Sequence, residues 1–178
     1  MDRNKQQTYN PGLYLVSTPI GNMEDITLRA LTLLKKSDLI LCEDTRRSVK
    51  LLSHFGIKNK LNSYHKFNEQ KISNKVLEII KKNKIVSLIS DAGTPGISDP
   101  GMILINKCIE KKINIYPIPG ASAVTTAVSV SGFNDQYLFY GFLEKKEKEL
   151  NVTLKQLSNI NYTIVFFIPA SKINFYIF

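Results

Sequence analysis

Two carboxylates stand beside two guanidiniums in Glu43-Asp44-Thr45-Arg46-Arg47, a segment that closes a short apolar run. Arg46 and Arg47 are suited to RNA phosphates, and a carboxylate here is suited to handling a proton. The same residues also suit a salt-bridged helix start with Asp44 as its N-cap, and spacing alone leaves both readings open. A second segment, Tyr64-His65-Lys66-Phe67-Asn68-Glu69, brings an imidazole that can stack on or hydrogen-bond a base. His65 could equally be a surface or capping residue. Glu43, Asp44 and Glu69 are the candidate general bases, with no choice among them. His54, beside Phe55 at a predicted helix end, is read as structural, because a cation there suits the helix dipole.

Three glycine-containing loops accompany these segments. They are Thr18-Pro19-Ile20-Gly21-Asn22, Asp91-Ala92-Gly93-Thr94-Pro95-Gly96 and Pro119-Gly120-Ala121-Ser122-Ala123. None is a phosphate motif of the GxxxxGK[ST] or GxGxxG kind. Each follows a predicted strand and precedes a predicted helix. Glycine in one such turn can be purely structural, but three at the strand ends of one parallel sheet point to a ligand cleft.

The elements that must position them alternate strand and helix. Leu13–Ser17, Asp38–Glu43, Leu61–Tyr64, Ile85–Ser90 and Ile113–Ile118 read as strands, mostly continuous apolar runs without polar alternation. Between them, helices are predicted from Asp25 as a cap, over Arg46–Phe55, over Glu69–Lys82, and from Asp99 as cap with Pro100 at the first helical position to about Lys112. A further helix follows Ser122 to about Ser131. Strands buried on both faces and joined by helices imply an α/β fold with a mainly parallel five-stranded sheet covered on both sides. The expected organisation is a flexible tail over residues 1–12, an α/β domain over 13–135, and the start of a second α/β domain over 136–178. In that last stretch, strands are predicted at Tyr137–Phe142 and Tyr162–Ile168, with a helix between them.

Composition narrows the class. Hydrophobic residues make up 43% of the 178, enough for a core, and no apolar run is long enough to read as a membrane span. The polar N-terminus lacks the apolar stretch of a secretory signal. The net charge of +9 favours anionic partners such as nucleic acid. Lysine, isoleucine and asparagine together are so abundant that compositional drift explains the charge equally well. Cys42 and Cys108 lack any zinc or redox spacing and read as buried reduced thiols. No metal-ligand cluster is visible.

Taken together, Leu15–Asn22 with Asp25-Ile26-Thr27, Glu43–Arg46, His65–Glu69, Ser90–Gly101 and Pro117–Ala123 resemble the S-adenosylmethionine-dependent methylases of the tetrapyrrole-methylase superfamily, in the branch that methylates ribosomal RNA. The resemblance runs from about residue 13 to 143, and Asp91–Gly101 is its most specific piece. Corrin and porphyrin methylases usually open with a richer glycine loop than Thr18–Asn22, which favours the RNA branch. What the resemblance implies is a cytoplasmic homodimer that binds S-adenosyl-L-methionine between two α/β domains. The implied reaction is 2′-O-methylation of a cytidine in the decoding region of 16S rRNA in the small ribosomal subunit. Carried over by position, Pro19, Gly21, Asp91, Ala92, Gly93, Thr94, Pro95, Gly120, Ala121, Ser122 and Ala123 would line the cofactor site. Arg46, Arg47 and His65 would meet RNA.

Members of that branch run longer. Where they usually carry a Glu-Ser-x-x-Arg-like stretch, this chain reads Ile168-Pro169-Ala170-Ser171-Lys172 and then Ile173–Phe178. The expectation is therefore a truncated second domain that leaves apolar surface exposed. Two rivals to the RNA-methylase reading are a catalytically decayed remnant of that enzyme and a small-molecule (tetrapyrrole) methylase of the same fold.

Overall fold

The computed structural model describes residues 8–177, which fall into two compact units divided after Ser122. The first contains strands β1 (Gly12–Val16), β2 (Leu39–Cys42), β3 (Leu61–Ser63), β4 (Ile85–Ile89) and β5 (Ile115–Ile118). They form one sheet in the order β3-β2-β4-β1-β5, and every pairing is parallel. Helices α1 (Leu28–Lys36), α2 (Thr45–His54), α3 (Glu69–Lys81) and α4 (Met102–Glu110) supply the crossovers.

Strand periodicity divides the core cleanly. Tyr14, Val16, Ile40, Cys42 and Ile89 face α1 and α2, where Ala30, Leu33, Leu34, Leu51 and Leu52 meet them. Leu13, Leu39, Leu41, Val86 and Leu88 face the other way, toward Val76, Leu77 and Ile80 of α3 and Leu104 and Cys108 of α4. Strands buried on both faces are the reason these runs lack polar alternation. Both cysteines are free and buried, one in each layer.

Two helix starts differ from expectation. Asp25 does not cap α1. It ends a 3-10 turn, Met23–Asp25, and the cap is Thr27, whose hydroxyl accepts from the Ala30 amide at 3.1 Å. Ile26 lies between them, extended and buried. Likewise Asp99 and Pro100 precede α4 instead of opening it, and Gly101 occupies the cap. The Asp99 carboxyl is half-buried within reach of the Glu43 and Asp91 charges, and no side chain caps α4.

Of the expected tail, residues 1–7 lie outside the described part. Tyr9 packs edge-on against Tyr14 at 5.9 Å, Asn10 accepts from the Tyr14 hydroxyl at 2.8 Å, and Gly12 already belongs to β1.

The second unit holds α5 (Ala123–Ser131), β6 (Tyr137–Phe142), α6 (Glu147–Leu157), β7 (Thr163–Phe167) and α7 (Ile173–Ile177). β6 and β7 pair in parallel, with an irregularity between Phe139 and Gly141. One face carries Leu138, Ile164 and Phe166 toward Leu150 and Leu157 of α6. Phe167 packs instead on Phe139 and Phe142, as alternation along β7 requires. Phe142, Tyr162 and Phe175 remain exposed.

Candidate functional site

In a parallel sheet all strand ends of one kind lie along one edge. Here the loops after β1, β2, β3, β4 and β5 gather there. α1 and α2 cover one face, whereas α3 and α4 cover the other. The chains leaving adjacent β1 and β4 therefore depart to opposite faces, and such a divergence opens a crevice at the carboxyl ends of the strands.

The crevice is braced by hydrogen bonds between distant loops. Thr18 N–H donates to the Gly93 carbonyl at 2.8 Å, and Gly93 N–H returns a bond to the Thr18 carbonyl at 3.1 Å. Thr18 Oγ1 donates to the Ser90 carbonyl at 3.1 Å, and Ser17 Oγ lies 2.9 Å from Thr94 Oγ1. Gly93 has a φ of +79°, in the left-handed region that favours glycine. Gly120 serves a different end: a Cβ there would stand 2.8 Å from the Ser17 Cβ, so the loop after β5 can lie on β1 only without a side chain.

One cleft of about 340 Å³ forms beside this brace. Pro19, Gly21, Asp91 and Ala92 line it, with apolar walls from Ile20, Met23 and Leu51 and cations from Arg47 and Lys50. Its size falls within the range of small-molecule sites, about 300–1,000 Å³. Asp91 accepts from the Asp44 amide at 3.1 Å, and its other oxygen lies 3.5 Å from Arg47 Nε. This ties the β4 loop to the start of α2.

A second cleft, of about 310 Å³, opens among Glu43, Lys66, Glu69, Ser98, Asp99 and Met102. Burial, then the neighbouring Asp91 charge, pushes the Glu43 carboxyl above its ordinary range, opposed by His65 and Arg47. Asp99 is pushed up to about 6, mainly by burial and then by Glu43 and Asp91. A carboxyl titrating near neutrality can take up and release a proton under working conditions. Asp44 is held down to about 2, first by its side-chain bonds to Arg46, with Nη2 at 2.7 Å and Nε at 3.1 Å. Its Oδ1 also accepts the Arg46 amide at 2.8 Å, so the capping alternative for Asp44 is the one present.

The structure thus brings Pro19, Gly21, Asp91 and Ala92 into one cleft, and Glu43 and Glu69 into another. Gly93 and Thr94 brace the loops behind, and Pro95 is buried. Ala121 presents its carbonyl 3.8 Å from the place a Gly93 Cβ would take, and Ser122 closes the first unit. Ala123 begins α5 in the second unit. Arg46 projects into solvent with its side chain 87% exposed. His65 is half-buried, with its backbone amide bonded to Asn68 Oδ1 at 2.9 Å. Asp99 also lines the second cleft and was not among the sequence candidates, because Asp-Pro before an apolar run reads as a helix start. The glycine directly after Pro100 was the available signal of a turn. Among the described residues no group of three or more His, Cys, Asp or Glu could hold a metal ion, and no helix is long and apolar enough to cross a membrane.

A doubly wound parallel sheet with braced loops over a small-molecule cleft is the architecture of a cofactor-binding α/β domain. The chain belongs to the tetrapyrrole (corrin/porphyrin) methylases: that family's model matches residues 12–174. Within the family it is 48% identical over 162 residues to the ribosomal RNA small subunit methyltransferase I of Mesomycoplasma conjunctivae, covering 89% of this chain and 67% of that protein. It is 47% identical over 163 residues to the protein of the same name from Rickettsia prowazekii, covering 91% and 58%. The chain spans between 54% and 70% of the length of such curated relatives. The fold is also that of a diphthine synthase, with a TM-score of 0.69 at 17% identity, covering 89% of this chain and 64% of that one.

Proposed function

We propose that this chain carries the catalytic α/β domain of a ribosomal RNA small subunit methylase. In this reading it transfers a methyl group from S-adenosyl-L-methionine to the ribose 2′-hydroxyl of a cytidine in the decoding region of 16S rRNA. It works in the cytoplasm as a homodimer. The observation that carries the reading is the 48% identity to a ribosomal RNA methyltransferase over nearly the whole chain, against 17% to a structural neighbour that shares only the fold.

The cleft at Pro19, Gly21, Asp91 and Ala92 fits the cofactor. Apolar walls at Ile20, Met23 and Leu51 suit an adenine ring, and Asp91 offers a carboxylate to hydroxyl or ammonium donors. When bound, the cofactor supplies an activated methyl group on a sulfonium, so the protein's task is chiefly positioning. Gly93, Thr94, Pro95, Gly120, Ala121 and Ser122 hold the loops that shape this cleft. The ribose hydroxyl is a weak nucleophile until it loses its proton. Glu43 and Asp99 suit that task, both being held above the ordinary carboxylate range beside the second cleft, which Glu69 also lines. Arg46 and Arg47 serve the phosphates and His65 a base.

The test is transfer of a labelled methyl group from S-adenosylmethionine to small ribosomal subunits from cells lacking the native modification. Label in 16S rRNA, absent from large subunits and from a uroporphyrinogen substrate, supports the proposal. Cofactor binding by calorimetry with no label in RNA would favour a decayed remnant, and label in the tetrapyrrole alone would favour a small-molecule methylase.

A further inference from the structure

Phe67 is 94% exposed, the most exposed of the large hydrophobic side chains among the described residues. A phenylalanine in water forgoes the burial it ordinarily gains on folding, yet the loop that carries it is tightly built. Asn68 Oδ1 accepts the His65 amide at 2.9 Å, and Asn68 Nδ2 donates to the Ser63 carbonyl at 3.1 Å. The amides of Asn68 and Glu69 donate to the His65 carbonyl at 2.9 and 3.0 Å, and the Phe67 amide donates to His65 Nδ1 at 3.3 Å. The His65 ring stands 6.0 Å away and inclined at 63°, so it does not stack on the phenyl face.

The surroundings are charged. Lys66 and Glu69, on either side of Phe67 in the chain, line the cleft that Glu43 and Asp99 also line. In the first turn of α2, just after neighbouring β2, stand Arg46 and Arg47, with side chains 87% and 70% exposed and paired with Asp44 and Asp91. A protein partner would need a contiguous apolar patch of several hundred Å². A single exposed ring, with Lys66 beside it in the chain, fits one flat π-system with an anionic neighbour, which describes a nucleobase in single-stranded RNA.

We propose that Phe67 is a substrate-binding residue, a platform on which a base of the RNA stacks as the strand enters the carboxylate cleft. This rests on the RNA-methylase reading and adds to it the residue that seats the strand. The test uses Phe67→Ala and Phe67→Trp in the full chain, titrated with a short single-stranded oligoribonucleotide containing cytidine. The chain contains no tryptophan, so Phe67→Trp introduces the sole indole reporter. Stacking predicts quenched indole emission on RNA binding and an affinity within about twofold of the parent, because a larger ring preserves the platform. Phe67→Ala should weaken RNA binding by about 5- to 150-fold. The same factor should appear in KM for RNA, with kcat, S-adenosylmethionine affinity and the thermal midpoint unchanged. Indole emission indifferent to saturating RNA, or parental affinity in Phe67→Ala, overturns the inference while leaving the RNA-methylase reading standing. A parent chain that binds no RNA overturns both.

Discussion

Replacing Asp99 by asparagine should stabilise the protein, and only above a definable pH. In the folded chain Asp99 is pushed from 3.8 up to about 6, chiefly by burial and then by the Glu43 and Asp91 charges. Between those two values the folded state holds a proton that the unfolded state has released. Stability therefore falls as pH rises from about 4 to about 6, and the full penalty persists above that window. The step corresponds to at most about 3 kcal/mol. Asp99 is only half-buried, and solvent screening reduces this to about 1–2 kcal/mol. Asparagine is close to aspartate in size and carries no charge at any pH. Asp99→Asn should thus raise unfolding stability by about 1–2 kcal/mol at pH 7.5, a rise of about 2–8 °C in Tm for a chain of this size. Near pH 4 most of that advantage should vanish. Urea unfolding of both proteins at the two pH values measures it. A variant no more stable than the parent at pH 7.5, or equally advantaged at pH 4, would refute the view that an ionised carboxylate is held there at a cost.

Glu43→Gln should lower the methyl-transfer rate by about 100-fold or more if this carboxylate takes the ribose proton, read from single-turnover label transfer. Thr27→Ala should cost about 1 kcal/mol and Asp25→Ala close to nothing, because Thr27 is the cap of α1; comparative denaturation distinguishes them. Gly120→Ala should cost about 1–3 kcal/mol, since the new methyl meets Ser17 Cβ at 2.8 Å; an unchanged unfolding midpoint would show that the loop shifts freely. Arg47→Ala should weaken RNA binding at low salt and reduce the slope of log affinity against log salt by about 1; filter binding across a salt series reports both.

The sheet was legible because its strands are short apolar runs separated by helical periods, and a strand buried on both faces has little other reason to look that way. Leu13-Tyr14-Leu15-Val16 carries both core layers in four letters. Helix starts were less legible. Asp25 and Asp99 each precede an apolar run, which is what a cap looks like in sequence. Whether a carboxylate caps depends on its surroundings in the fold: Ile26 after Asp25 is buried, and Asp99 lies near the Glu43 and Asp91 charges. The glycine loops at the strand ends were visible through their composition and their place after strands. The division between residues that line a cleft and those that brace it was not visible. The bracing bonds, such as Thr18 to Gly93, join positions far apart in sequence. The same holds for the second cleft, whose walls come from the ends of β2, β3 and β4. Phe67 reads as an ordinary apolar residue until its exposure is known.

If the chain methylates a ribose hydroxyl in small-subunit RNA, as proposed, the modified nucleoside itself reports it. Small subunits lacking the native modification are incubated with the chain and S-adenosylmethionine, and a decoding-region fragment of the 16S rRNA is then isolated, digested to nucleosides and resolved by mass spectrometry. The expected product is 2′-O-methylcytidine in that fragment, formed only when both protein and cofactor are present. A methyl group found on a base, or no methylated nucleoside above the cofactor-free control, would contradict it.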